Sequence, residues 1–257
     1  MSPFTPAQER TLRDVLDAVA PAEVVLIGAT AVGLYVPMEW RKTHDLDLVL
    51  AIGVAALDQL PERLHGWRRD PRREHVWYSP HGVDVDLVPA GPAERAHGEV
   101  TFPRSGNVMD LTAIGLAFEH ARQVAIGDRH LGVAPLEVLV ILKMSSWLDS
   151  PHRQHDLADL AHILESWLPI DDDRRYDDDV IAEQIPYDDV PALLLGRLIA
   201  AITKEPHHEI VRRFLAQVGD ERHFAHGTML KYGPSSWRTY EELFDRRLAA
   251  LQRGLGF

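Results

Sequence analysis

The sequence predicts a mixed α+β fold, a small mixed sheet with helices packed on it, followed by a helical C-terminal region. Asp45-Leu46-Asp47-Leu48-Val49-Leu50 and Val83-Asp84-Val85-Asp86-Leu87-Val88 begin as alternations of acidic and apolar residues, the pattern of strands with one face on a core. Leu136 to Leu148 is apolar nearly all round, as a buried helix is. From Pro169 onward, acidic runs and Pro186, Pro191 and Pro206 separate segments of helical spacing.

The elements follow in order. Leu12, Val15, Leu16 and Val19 fall at helical spacing after a Thr5-Pro6 cap and first turn, so a helix precedes the first strand. Glu23 to Ile27 reads as a buried strand running into Gly28-Ala29 and an apolar helical turn. After the Asp45 strand comes a helix near Val54 to Leu64, then strands at His75 to Ser79 and Val83 to Val88 joined by Pro80-His81-Gly82. Leu111 to Val133 reads as a short helix and a hairpin turning at Gly127-Asp128. Helices are expected at Val190 to Thr203, Glu209 to Val218 and Trp237 to Leu251, with Asp171 to Asp179 a loop or partly disordered. The expected domains are a core over residues 1–134 and a helical region over 135–257.

Composition narrows the function. The chain has 257 residues, no cysteine and a formal net charge of −12. Disulfides and Cys-ligated metal sites are therefore excluded. No apolar run approaches a membrane span, and the N-terminus lacks the apolar stretch of a signal peptide, so a soluble, cytoplasmic protein without a membrane partner is expected. The negative charge argues against a broad nucleic-acid surface, because affinity for phosphate backbones comes largely from Lys and Arg. Locally, Arg63, Arg68, Arg69, Arg72 and Arg73 gather around Trp67, either as a solvated hairpin or as a phosphate-contact surface.

The polar residues on the strands carry the chemistry. Asp45 and Asp47 project from one face of their strand and can share a divalent cation. Asp84 and Asp86 offer a third carboxylate. Gly28 lets backbone N–H groups approach a phosphate. Lys143 interrupts the buried helix and needs an anion, either a carboxylate or a bound phosphate. Asp156 belongs to the packed stripe Asp156, Leu160, Ile163, Trp167 of the next helix, whereas Asp159 falls outside the apolar stripes and reads as exposed. His152-x-x-His155 lacks the glutamate of a zinc-protease helix and His207-His208 follows Pro206 in a loop, so both read as surface histidines rather than metal ligands.

Together these motifs resemble the polymerase-β-type nucleotidyltransferases, in particular the AbiEii-like branch of abortive-infection and toxin–antitoxin proteins. Gly28-Ala29-Thr30-Ala31 matches the family's G-[GS]-x-A, and Arg41-x-Thr43-x-Asp45-Leu46-Asp47 matches R-x-T-x-D-h-D. Asp86-Leu87-Val88-Pro89 matches a later strand motif, and Leu142-Lys143-x-x-x-Trp147-x-Asp149 with His155-Asp156-Leu157-x-Asp159-Leu160 extends the likeness. Leu195-Gly196-Arg197 continues it weakly. Ala29 stands where a serine is common, and His155 where a lysine is.

The resemblance implies a polymerase-β-like core that moves a nucleoside monophosphate from an NTP to an acceptor hydroxyl. It implies Mg²⁺ or Mn²⁺ held by Asp45, Asp47 and Asp86, and a nucleotide bound by Gly28, Ala29, Thr30, Arg41, Thr43 and Lys143. Lys143 and Asp156 are expected to join the catalytic set from the C-terminal region. A toxin acting on a tRNA 3′ end, paired with an antitoxin, is the leading expectation, with the arginine cluster meeting the RNA. The alternatives are an aminoglycoside- or lincosamide-type antibiotic nucleotidyltransferase, and a non-catalytic nucleotide-binding relic.

Overall fold

The computed structural model describes residues 3–256. The chain divides into two compact units at Leu139 and Val140.

The first unit is built on a seven-stranded mixed sheet. Helix α1 (Pro6–Val19) is capped by Thr5, whose hydroxyl accepts from the Gln8 N–H while the Gln8 side chain accepts from the Thr5 N–H, a reciprocal capping box. Strand β1 (Val24–Ile27) runs into α2 (Gly28–Val32), and β2 (Leu46–Leu50) returns antiparallel to β1. The helix expected near Val54 to Leu64 is only the short α3 (Val54–Leu57) and a 3₁₀ turn at Leu60–Glu62, with Pro61 inside that turn.

Strands β3 (Arg68–Arg69), β4 (Val76–Tyr78) and β5 (Asp84–Pro89) follow as an antiparallel series, and β5 pairs parallel with β2. Next come α4 (Pro92–His97) and a separate hairpin, β6 (Glu99–Thr101) and β7 (Val108–Asp110). Helix α5 (Ile114–His120) leads to the hairpin of β8 (Arg122–Ile126) and β9 (Arg129–Val133), and β9 lies parallel to β1. Strand order is β3-β4-β5-β2-β1-β9-β8. Leu46, Leu48 and Leu50 of β2 and Val85 and Leu87 of β5 are fully buried, so the face opposite the acidic residues is the core face.

Helix α6 (Leu136–Asp149) carries the chain into the second unit, which is helical: α7 (Gln154–Ser166), α8 (Asp178–Ile181), α9 (Val190–Ile202), α10 (His207–Val218), α11 (Phe224–Tyr232), α12 (Ser235–Thr239) and α13 (Glu241–Leu255). Gly196 of α9 and Gly254 of α13 let two backbones meet: a Cβ on Gly196 would stand 2.3 Å from the Leu251 carbonyl oxygen, and one on Gly254 2.0 Å from that of Leu193.

Two expectations are corrected in this unit. Asp171 to Asp179 is ordered, forming a 3₁₀ turn at Asp173–Tyr176 and then entering α8. Its anchor is the buried Arg175, which donates to the carbonyls of Leu168, Pro169 and Tyr187. The single helix expected from Trp237 to Leu251 is instead α12 and α13, broken at Tyr240.

Candidate active site

The sheet register assembles the expected carboxylates. Ile27 at the end of β1 is level with Asp47 on β2, and Asp47 is level with Asp86 on β5. Residues level across neighbouring strands share a face, so Asp47 and Asp86 stand side by side. Both are half-buried, whereas Asp45 and Asp84, each two residues earlier in the sequence, are exposed. The register thus makes Asp86 rather than Asp84 the neighbour of Asp47.

Gly28 closes on this pair. Its φ of 70° lies in the left-handed region, and a Cβ there would come within 1.8 Å of Asp47 Oδ2. The Asp47 carboxylate occupies the space that any other side chain at position 28 would need.

The segment before β2 is fastened at several points. The Thr30 hydroxyl donates to the Asp45 carbonyl at 2.6 Å, and the Thr43 hydroxyl donates to the Asp45 carboxylate. An open cavity of about 280 Å³ is lined by Ala29, Thr30, Arg41, Lys42, Thr43 and His44 among others. It brings together four of the expected nucleotide-binding residues, Ala29, Thr30, Arg41 and Thr43, and adds Lys42 and His44.

Among the described residues, no three His, Cys, Asp or Glu side chains converge as a ready-made metal cluster. The expected set of Asp45, Asp47 and Asp86 is therefore a level pair with Asp45 beside it, its carboxylate engaged by Thr43. The donors still suit the ion. Mg²⁺ is commonly held by one or two carboxylates together with waters and substrate phosphates, and the pair beside Gly28 supplies hard oxygen donors of that kind.

Lys143 and Asp156 lie in the second unit. Lys143 Nζ is 3.0 Å from Asp156 Oδ1 and 2.7 Å from Asp159 Oδ2, and Arg153 Nε is 2.8 Å from Asp156 Oδ2. Carboxylates thus answer the burial of the lysine, whose side chain is 6% exposed. Asp159 is the correction: expected on the surface, it is 0% exposed because it turns toward Lys143 on α6. Burial pushes the Lys143 ammonium down and the Asp156 carboxyl up, but attraction within the cluster outweighs it. Lys143 is raised above the ordinary lysine value and Asp156 is lowered below the ordinary aspartate value.

Four of the five arginines separate into different side-chain roles, and Arg72 donates its backbone N–H to Asp70. Arg63 donates to the Ala18 carbonyl. Arg69 lies over Trp77, donates to the Glu74 carbonyl and pairs with Asp58. Arg73 pairs with Asp70, whose carboxyl is held below its usual range chiefly by the backbone N–H groups of Arg73 and Arg72. Arg68 lies over the Tyr78 ring, 4.0 Å from its centroid.

A buried strand runs through a left-handed glycine into a helix, and Asp47 on the next strand stands beside Asp86 on a parallel one, the arrangement expected of a nucleotidyltransferase. The family model described as nucleotidyl transferase AbiEii toxin, type IV toxin–antitoxin system, matches residues 10–246. The chain belongs to that family.

Among solved structures, it is similar to an antigenic nucleotidyltransferase-like protein from Paracoccidioides brasiliensis, at 13% identity over 93% of this chain and 99% of that one, with a TM-score of 0.44. It is also similar to ANT(2")-Ia in complex with adenylyl-2"-tobramycin, at 14% identity over 80% of this chain and 98% of that one, with a TM-score of 0.43. No curated protein matches the chain. Among the described residues, no helix is long and apolar enough to cross a membrane.

Proposed function

We propose that this nucleotidyltransferase is the toxin of a toxin–antitoxin pair and moves a nucleoside monophosphate from an NTP to a hydroxyl of an RNA, the 3′ end of a tRNA. The observation that carries the transfer is the level row of Ile27, Asp47 and Asp86 with Gly28 closing on it. Family membership supports the toxin and antitoxin assignment.

In the reaction, the acceptor oxygen forms a bond to the α-phosphorus as the bond to the β-phosphate bridge breaks and pyrophosphate leaves. Asp86 takes the proton of the attacking hydroxyl, and Arg41 and Lys42 on the cavity wall attract the triphosphate. Thr43 orients the Asp45 carboxylate and Thr30 holds the Asp45 backbone. Asp45, Asp47 and Asp86 would hold Mg²⁺ or Mn²⁺, which when bound neutralises charge on the triphosphate.

The test is incubation of purified protein with Mg²⁺, each labelled NTP in turn, and total tRNA. Label is expected at the RNA 3′ end and should disappear with a chelator or in Asp47→Ala. The expected loss in Asp47→Ala is about a thousandfold, corresponding to several kcal/mol of transition-state stabilisation. Label transfer equal in wild type and Asp47→Ala, or none with any NTP, would sink the reading. The net charge of −12 favours a second acceptor class, a cationic aminoglycoside-like small molecule. Turnover on such an acceptor should lack the steep salt dependence of RNA binding.

A further inference from the structure

Of the arginines gathered between positions 63 and 73, the sheet register sets Arg68 apart. Arg68 is level with Tyr78, Tyr78 with Asp84, and Val76 with Asp86. Side chains alternate along strands and agree across them. Arg68, Tyr78, Asp84, Asp86 and Asp47 therefore share one face, the one that carries the candidate active site. Arg69, the next residue, belongs to the opposite face with Trp77, where its head group is occupied by the Glu74 carbonyl and Asp58.

The mounting of Arg68 is fixed. Its guanidinium lies over the Tyr78 ring, and the Tyr78 hydroxyl donates to Asp70 Oδ2 at 3.0 Å. Asp70 is itself tied by the backbone N–H groups of Arg72 and Arg73. A guanidinium stacked by its face keeps its N–H edges directed outward for the paired oxygens of a phosphate, and Arg68 is exposed on an edge strand.

Strands are spaced about 4.8 Å apart, so β3 lies roughly 10 Å from β5 and 14 Å from β2. A stacked nucleic-acid strand advances about 3.4 Å per phosphate, which makes that span three or four nucleotides. We propose that Arg68, held on Tyr78, binds a backbone phosphate of the acceptor RNA a few nucleotides from the hydroxyl that reacts. This rests on the reading of the chain as an RNA-modifying nucleotidyltransferase.

Arg68→Gln, Arg68→Glu and Arg68→Lys should be compared with wild type for transfer to total tRNA over a range of KCl, and for transfer to the dinucleotide CpA, which is too short to reach β3. Arg68→Gln should raise the tRNA KM about tenfold, leave the NTP KM and CpA turnover unchanged, and reduce the slope of log affinity against log salt by about one. Arg68→Lys should stay near wild type and Arg68→Glu should be worse than Arg68→Gln. A residue that merely keeps an edge strand from pairing would tolerate glutamate, so Arg68→Glu equal to wild type overturns the proposal. An unchanged salt slope in Arg68→Gln, or equal losses on CpA and tRNA, also overturns it. Wild type that labels no RNA removes the acceptor reading and this inference together, whereas wild type and Arg68→Gln labelling RNA alike removes this inference alone.

Discussion

In the first unit, Asp47 and Asp86 stand half-buried on one face of the sheet with Asp45 and Asp84 exposed beside them. In the second unit, Asp156 and Asp159 are sealed around Lys143, and Arg153 completes a cluster of two positive and two negative charges. The residue type is the same and the surroundings are opposite. The carboxylates proposed to receive a cation and a triphosphate keep a path to solvent, whereas those that bind an internal ammonium are closed off from it. Neutralising the ammonium in the sealed cluster should therefore change stability first, and altering the open one should change turnover first.

The strongest challenge to that contrast is Lys143→Met. Removing one partner of a buried ion cluster typically costs about 3–5 kcal/mol, because the remaining charges are left without compensation. The melting transition of the second unit should fall by roughly 10–15 °C, measured by calorimetry, while Asp47→Asn melts within a few degrees of wild type. The resemblance gives Lys143 a part in binding the nucleotide. A Lys143→Met protein that melts like wild type but loses NTP turnover would move the lysine into the chemistry and dissolve the contrast.

Gly28→Ala probes the open cluster by its backbone. Gly28 and Gly82 have φ of 70° and 80°, but a Cβ at position 28 would overlap Asp47 whereas one at position 82 meets nothing within 4 Å. Both alanine variants carry the left-handed strain of about 1–2 kcal/mol. Only Gly28→Ala must also displace the Asp47 carboxylate, so it should lose turnover by about tenfold or more, the size expected when a reacting group is misplaced by a fraction of an ångström. Equal kcat in the two variants would detach Gly28 from the site.

The parts of this arrangement that were legible in the sequence are those written in local periodicity. Alternation at Asp45 to Leu50 and Val83 to Val88 placed Asp47, Asp84 and Asp86 on strand faces, with Asp45 falling just before β2, and the turn at Gly127-Asp128 placed the β8–β9 hairpin. What escaped depends on partners far along the chain. Asp159 is buried by Lys143, sixteen residues earlier on another helix, which no stripe within α7 can report. The Asp171 to Asp179 segment is ordered by Arg175 reaching the carbonyls of Leu168, Pro169 and Tyr187, a cap invisible to composition. The β6–β7 hairpin has strands of three residues each, and Glu74 secures its connection through the N–H groups of Arg104 and Ser105. Arg68 and Arg69 are adjacent in sequence, and only the register of β3 on β4 decides which of them shares the face of Asp47 and Asp86.

The smallest expected effect separates the clusters by pH. In the folded chain, Asp156 is lowered despite the opposing pull of burial, chiefly by the charges of Lys143 and Arg153. Its unfolded value is near the ordinary aspartate figure of about 3.9, so as pH falls the unfolded chain takes up this proton first. The stabilisation is therefore complete above about pH 4 and is lost as pH falls through the folded value. Lys143 is raised although burial opposes it, so its contribution is complete below the ordinary lysine value of about 10.4 and is lost as pH rises through the folded one. Denaturant midpoints of the second unit should accordingly form a plateau from about pH 5 to 9, with a fall below about pH 4. Asp156→Asn should lower that plateau and make the acid fall shallower, since the variant no longer has this proton to bind. An acid limb as steep in Asp156→Asn as in wild type would mean that the cluster does not set the acid stability of the unit.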